Sequence, residues 1–245
     1  PPAKHLAPPS MPLPSRAAAP PSASDATARR DWLSVATLVL ANLLAYSNTF
    51  FVPFLFDDIA AVTQNPSIEN FSTAFSPPPA LSVTGRPLAN LSFALNHAIS
   101  GKAPWSYHAL NLALHLACAL TFFALLRRTL SGLKHQHSNA VALAVSALWS
   151  LHQLHTSAVT YVMQRTELLA SLCYLLTLYG FARAYDARAL GPQRRWAALA
   201  VVVCALGMAA KEIMVTAPLA VLLYDRTFVA TSFGAALRAR ARFYL

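Results

Sequence analysis

Residues 31–58 read DWLSVATLVLANLLAYSNTFFVPFLFDD, an apolar block of bilayer length that stops at two adjacent carboxylates. A run of roughly 17–25 mostly apolar residues spans the hydrocarbon core of a membrane. Trp32 suits the interface, Arg29 and Arg30 precede the block, and we read a first span from about Trp32 to Phe56. Similar blocks recur downstream, at Trp105 to Leu126, Asn139 to Tyr161 and Glu167 to Ala184. Two shorter ones, Trp196 to Ala210 and Ile213 to Tyr224, flank Lys211-Glu212 and read as two short spans or as a hairpin turning inside the membrane.

Composition agrees with this pattern. The chain is 56% hydrophobic and only 11% charged, where a soluble chain carries about a quarter charged residues. The net charge of +10 lies in short clusters between apolar blocks, which is the signature of cytoplasmic loops and argues against nucleic-acid binding. Cys118, Cys173 and Cys204 all sit inside apolar blocks without a CxxC pair, so they read as small buried hydrophobes. The fold expected is therefore all-α, a polytopic transmembrane helix bundle with about six spans over residues 32–245. Residues 1–31, rich in Pro, Ala and Ser, read as a disordered cytoplasmic tail. The first residue is not Met and the last block is uncapped, so we expect a fragment of a longer chain.

With a cytoplasmic N-terminus, every Lys and Arg except Arg86, Lys102, Arg165 and Lys211 falls on the inner side. Asp57, Asp58, Glu69, Glu167 and Glu212 fall outside, with His97, His108, His152 and His155. A site would be built at that outer end. The long first outer loop, Asp57 to Pro104, carries Leu88, Leu91, Leu95 and Ile99 near helical spacing. They read as an amphipathic helix on the membrane surface or as a helix packed on the loop itself.

Asp57-Asp58 is the first candidate for acid–base chemistry, because two adjacent carboxylates cannot both be desolvated cheaply. The plainer reading is a pair of helix-end acids marking the membrane boundary. Arg86, Arg165 and Lys211 lie close to apolar blocks and suit a lipid phosphate, although interfacial cations also snorkel without a ligand. His108, Asn111 and His115 share one face of the second span, which must point into the bundle. Interhelical hydrogen bonding is the favoured role for His115, and His108 is the better site candidate. His152-x-x-His155 lacks a third ligand at a diagnostic spacing, so no metal is assigned. Asn70-Phe-Ser72 and Asn90-Leu-Ser92 match the N-glycosylation pattern, a short motif with a high chance rate.

Five segments taken in order resemble a known family. They are Phe56-Asp57-Asp58-Ile59, the run from Gly85-Arg86-Pro87 to His97, the run Tyr107 to His115, the run Leu151 to Leu169, and Lys211-Glu212 with Leu223-Tyr224-Asp225. Together they resemble the membrane half of the transmembrane-and-TPR O-mannosyltransferase-like proteins, within the GT-C class of glycosyltransferases. Two positions depart from the family pattern: Gln153 stands where Pro is usual, and Gly85 where an aromatic residue is frequent. The resemblance implies transfer of mannose, or another hexose, from a polyprenyl or dolichyl phosphate to a Ser or Thr hydroxyl of a protein, with inversion. It implies no cofactor, since the lipid-linked sugar is the donor, and it places TPR repeats beyond residue 245. Asp57 then occupies the catalytic position with Asp58 beside it. Arg86, His108, Arg165, Lys211, Glu212, His152 and His155 are the candidate substrate and phosphate contacts. The competing readings are a non-catalytic membrane anchor for a TPR protein-interaction scaffold and, ranked last, a transporter. The Ala- and Arg-rich composition favours a bacterial inner membrane over the endoplasmic reticulum.

Overall fold

The computed structural model describes residues 23–79, 81–187, 189–230 and 232–244; residues 1–22 of the expected tail lie outside them. Among the described residues every regular element is helical. The helices are α1 (Ala23–Ala45), α2 (Phe71–Ala74), α3 (Pro87–Ser100), α4 (Trp105–Gly132) and α5 (Ser138–Ser150). They continue with α6 (His155–Thr160), α7 (Arg165–Asp186), α8 (Leu190–Met208), α9 (Ala217–Phe228) and α10 (Phe233–Tyr244). Three segments are long and apolar enough to cross a membrane: Arg30–Phe51, Trp105–Gly132 and Val162–Asp186. A fourth is the pair Glu212–Phe228 and Phe233–Ala241, if that pair, bent by 115°, counts as one span. The chain is thus an all-α, polytopic membrane protein, and by length and composition three, or four with the bent pair, of the six expected crossings qualify.

The third block departs most from a single straight span. Asn139 to Tyr161 is not one helix: α5 ends at Ser150 after 13 residues, and α6 restarts at His155 for six. At 1.5 Å per residue, 13 residues reach about 20 Å, short of the roughly 30 Å hydrocarbon core. The break falls where His152 and Gln153 interrupt the apolar run. The Ser150 carbonyl at the end of α5 accepts from the Tyr46 hydroxyl at 2.8 Å and lies 2.9 Å from His115 Nε2. The carbonyls that end a helix need partners, and these two side chains supply them. Polar side chains hold the apolar helices together elsewhere too. Asn42 Nδ2 on α1 donates to Ser150 Oγ at 3.0 Å, and Asn139 Nδ2 on α5 donates to Ser34 Oγ at 2.8 Å. Such hydrogen bonds, rather than apolar burial, are what distinguish one helix pairing from another in lipid.

The first outer loop folds into a small domain of its own. Ala61, Val62, Ile68, Ala74, Val83, Phe93 and Ala94 form its core, which continues into Tyr107 on α4 and into Val162 and Met163 before α7. Pro87 sits at the first turn of α3, where its missing N–H costs nothing. Leu95 and Ile99 on α3 face outward, while Asn90 and Asn96 are buried. Asn90 is therefore a core residue. Its amide donates to Ser67 Oγ and to the Ala74 carbonyl, both at 2.9 Å, and accepts from Asn65 Nδ2 at 2.8 Å. The glycosylation pattern at Asn90 falls on this closed network, whereas Asn70 is exposed.

The α7–α8 hairpin is packed on small residues. A Cβ on Gly207 would lie 2.8 Å from Cys173 Cβ and 2.7 Å from Met214 Cε. Met214 is fully buried and Cys173 Cβ is fixed to the α7 backbone, so α8 itself must move. Gly207→Ala is expected to destabilise the purified full-length protein by about 1–3 kcal/mol, the usual cost of overpacking, seen as a lower melting temperature.

Candidate functional site

Chain folding gives the two adjacent carboxylates unlike surroundings. Phe56 takes a left-handed conformation, with φ of 46°, and this turns the chain sharply after the first span. Left-handed backbone is unusual for a bulky residue and is found where neighbouring contacts enforce it. Those contacts come from Asp58, which is only 1% exposed. Its Oδ1 accepts from the Met163 N–H at 2.7 Å, and its Oδ2 from the Leu55 and Val162 N–H groups at 3.2 and 3.4 Å. Asp58 is a bolt between the end of the first span and the start of α7. Asp57, next to it, is exposed, and its own N–H donates to the Tyr161 hydroxyl at 3.0 Å. The Phe56 ring meets Tyr161 edge-on at 6.4 Å. Asp57 is thus presented on a corner held from three directions, with its carboxylate exposed beside the Tyr161 hydroxyl.

Burial pushes the Asp58 carboxyl above its ordinary range; the three backbone donors pull against it and the charge of Asp57 adds to it. A carboxyl whose pKa is raised by folding binds its proton more tightly in the native state. Its contribution to stability is complete below the ordinary carboxylate pKa and is lost as pH rises through the raised one. The melting temperature of wild type relative to Asp58→Asn should therefore increase as pH is lowered through that window. A constant difference between the two across the titration would show that Asp58 does not titrate there.

Arg165, the first residue of α7, is fully buried. Nε donates to Asn111 Oδ1 at 2.7 Å, Nη1 to Asn96 Oδ1 at 2.5 Å and the Ser92 carbonyl at 3.1 Å, and Nη2 to the Tyr107 carbonyl at 2.8 Å. The guanidinium carbon lies 4.7 Å from the centroid of the Phe93 ring. One planar fork therefore ties α3, α4 and α7 together, and no carboxylate pairs with it among the described residues. Its five donors face inward to the protein rather than to an open surface.

His108 is also buried, with Nε2 2.8 Å from the Val52 carbonyl. His115 makes the interhelical bond to Ser150 expected of it, and its ring stacks near Trp149 at 5.8 Å. The two histidines of the His152-x-x-His155 run have different neighbours. His155 packs edge-on to Trp149 at 4.5 Å, while exposed His152 accepts from the Leu154 N–H at 3.2 Å.

The remaining candidates form an ionic rim. Lys211 pairs with Glu167 in the first turn of α7, and Arg86 lies 3.6 Å from Glu212, which is 78% exposed. The Leu88 N–H donates to the Ala209 carbonyl at 3.1 Å, so the start of α3 is docked on the turn after α8. Sequence reasoning missed this docking, and nothing in the spacing of the two segments signals it. Beside Glu167 a groove of about 300 Å³ opens, lined by Phe122, Trp149, Ala170, Tyr174, Leu175 and Ile213.

Comparison with known proteins gives this end of the bundle a context. Over 195 residues the chain is 35% identical to protein O-mannosyl-transferase Tmtc2 of Drosophila melanogaster, a match covering 74% of this chain and 20% of the fly protein. The chain is homologous to the TMTC protein O-mannosyl-transferases. Drosophila Tmtc3 is 29% identical over 70% of the chain and 21% of its own length. Human TMTC3 is 31% identical over 60% of the chain and 17% of its own length. The chain thus spans about a fifth of the TMTC relatives it matches. These relatives are animal proteins and give no support to the bacterial membrane favoured from composition. No family model and no solved structure matches the chain.

Proposed function

We propose that the chain is part of a membrane glycosyltransferase that moves mannose, or another hexose, from a polyprenyl or dolichyl phosphate to a Ser or Thr hydroxyl of a protein. Homology to proteins named O-mannosyl-transferases supports the reaction class. The observation that carries the residue assignment is the contrast between Asp57 and Asp58. One carboxylate is bolted into the fold, and the other is exposed beside it.

In this reading Asp57 takes the proton of the acceptor hydroxyl as its oxygen attacks the anomeric carbon. The bond from that carbon to the lipid phosphate breaks on the opposite face, and the configuration inverts. The departing phosphate keeps the electron pair and gains negative charge, which a positioned cation stabilises. Lys211 and Arg86 suit this task, since each is held at the rim by an acid that an incoming phosphate can displace. The donor carries its own activated bond, so the reading includes no cofactor. The apolar groove beside Glu167 and Lys211 suits the first isoprene units of the carrier. By the distribution of Lys and Arg, the N-terminus is cytoplasmic and the site faces the other side of the membrane.

The test uses full-length protein in vesicles, a radiolabelled polyprenyl-phosphate-mannose donor and a Ser/Thr-rich acceptor. Transfer that depends on this donor is the expected result; no transfer with any lipid-linked hexose would overturn the enzyme reading in favour of a membrane anchor. In the same assay Lys211→Gln should slow transfer by about 10²-fold, the scale for losing one preorganised group on the developing charge. Arg195→Gln, at the opposite end of α8, should leave the rate unchanged.

A further inference from the structure

A cleft lies at the other end of the bundle. About 610 Å³ in volume, it is bordered by the start of α1, the end of α4, the α4–α5 connection and the end of α7. Four guanidiniums line it, those of Arg30, Arg127, Arg128 and Arg183, against two carboxylates, Asp31 and Asp186. Arg127 pairs with Asp31, and Arg128 pairs with Asp186 at 2.6 Å. The acids are thereby spent on two of the four cations. Arg183 is aimed by other means: its guanidinium lies over the Trp196 ring at 4.5 Å and donates to the Tyr179 hydroxyl at 3.2 Å. Holding a charged fork against an aromatic face orients it without neutralising it.

The first 22 residues of the chain contain no Asp or Glu and cannot supply the missing negative charge. A ligand that fits offers acceptor oxygens to the arginines, and it reaches the cavity at the membrane surface.

We infer that this cavity binds the phosphate headgroup of an anionic phospholipid, such as phosphatidylinositol. Basic pockets between membrane helices on the Lys/Arg-rich side are suited to such headgroups. The site is separate from Asp57: α1 runs from Arg30 at this cavity to the opposite end of the bundle, where Asp57 lies.

The test is lipid retention by the full-length protein. Protein is extracted from vesicles of phosphatidylcholine containing a minor fraction of phosphatidylinositol, gel-filtered in detergent, and its bound lipid quantified by mass spectrometry. Wild type should retain phosphatidylinositol enriched about tenfold or more over its share of the vesicle, the scale of one charge-assisted contact. Arg183→Gln and Arg30→Gln should each lose most of that enrichment, and Arg183→Lys should keep part of it, while Arg195→Gln, a cation outside the cavity, should keep all of it. Arg30 is exposed, so its variant tests the site even if Arg183→Gln does not fold. Equal enrichment in wild type and the Arg30 variant overturns the site, as does equal loss in Arg195→Gln. A melting-temperature rise with inorganic phosphate but no lipid enrichment would overturn the lipid source.

Discussion

Asp57→Asn in the full-length protein should lower sugar transfer by about 10²–10⁴-fold, the contribution of a positioned general base, without lowering the melting temperature appreciably. The two readouts separate because of where the side chain stands. The main-chain N–H bond of Asp57 to Tyr161 is kept by asparagine, whose side-chain oxygen can also still accept from the Tyr161 hydroxyl. Exposed substitutions away from structural contacts usually cost within about 0.5 kcal/mol. Asp58→Asn should do the reverse in part: one of its two accepting oxygens becomes an amide NH2, so one side of its set of three backbone donors is left without an acceptor, and the corner that presents Asp57 loosens. Initial rates at saturating and limiting donor decide the matter. Equal rates for wild type and Asp57→Asn would remove Asp57 from the chemistry.

Arg165→Ala should be the most destabilising single change, on the order of 3–5 kcal/mol, because it strands the groups that a buried charge had satisfied. The Asn96 and Asn111 side-chain oxygens would lose their donor inside the protein, and the Ser92 and Tyr107 carbonyls, within α3 and α4, would lose their second one. Each stranded buried acceptor costs about 1–3 kcal/mol, though relaxation and water entry reduce the total. Arg165→Lys keeps the charge but not the fork, so it should rescue only a fraction. Fluorescence-detected gel filtration after a temperature ramp reads this directly. A variant that melts with wild type and fails only in donor binding would make Arg165 a substrate contact instead of a strut.

Much of the architecture could be read in advance from block length and the distribution of charge. The inward face formed by His108, Asn111 and His115 follows from their spacing and from the cost of polar groups in lipid, and all three are buried. The split of the third block was harder to read. Its apolar residues are continuous enough for a span, and what ends α5 is a pair of side chains, Tyr46 and His115, from other helices. The candidate site divided in the same way. Composition shows that acids, histidines and a few cations gather at one end of the bundle. It does not show which of two neighbouring aspartates meets three backbone donors, nor that Arg165 is enclosed while Lys211 stays at the rim. Those differences depend on which distant main-chain groups need partners, and main-chain groups leave no trace in the side-chain pattern.

The backbone tie from Leu88 to Ala209, reinforced by Arg86 and Glu212, has a consequence for how the protein is made. The first outer loop leaves the ribosome early, but its docking partner is synthesised only after α4, α5, α7 and α8. Until then the helix at Pro87 waits with one end untethered. Long-range contacts of this kind form late and slow the approach to the native state. The ionic rim is therefore finished last, and the newly inserted chain passes through a stage in which the first span and its aspartate corner are in place while the groups opposite them are not. Quality control that senses an undocked α3 would in effect be counting whether α8 has arrived.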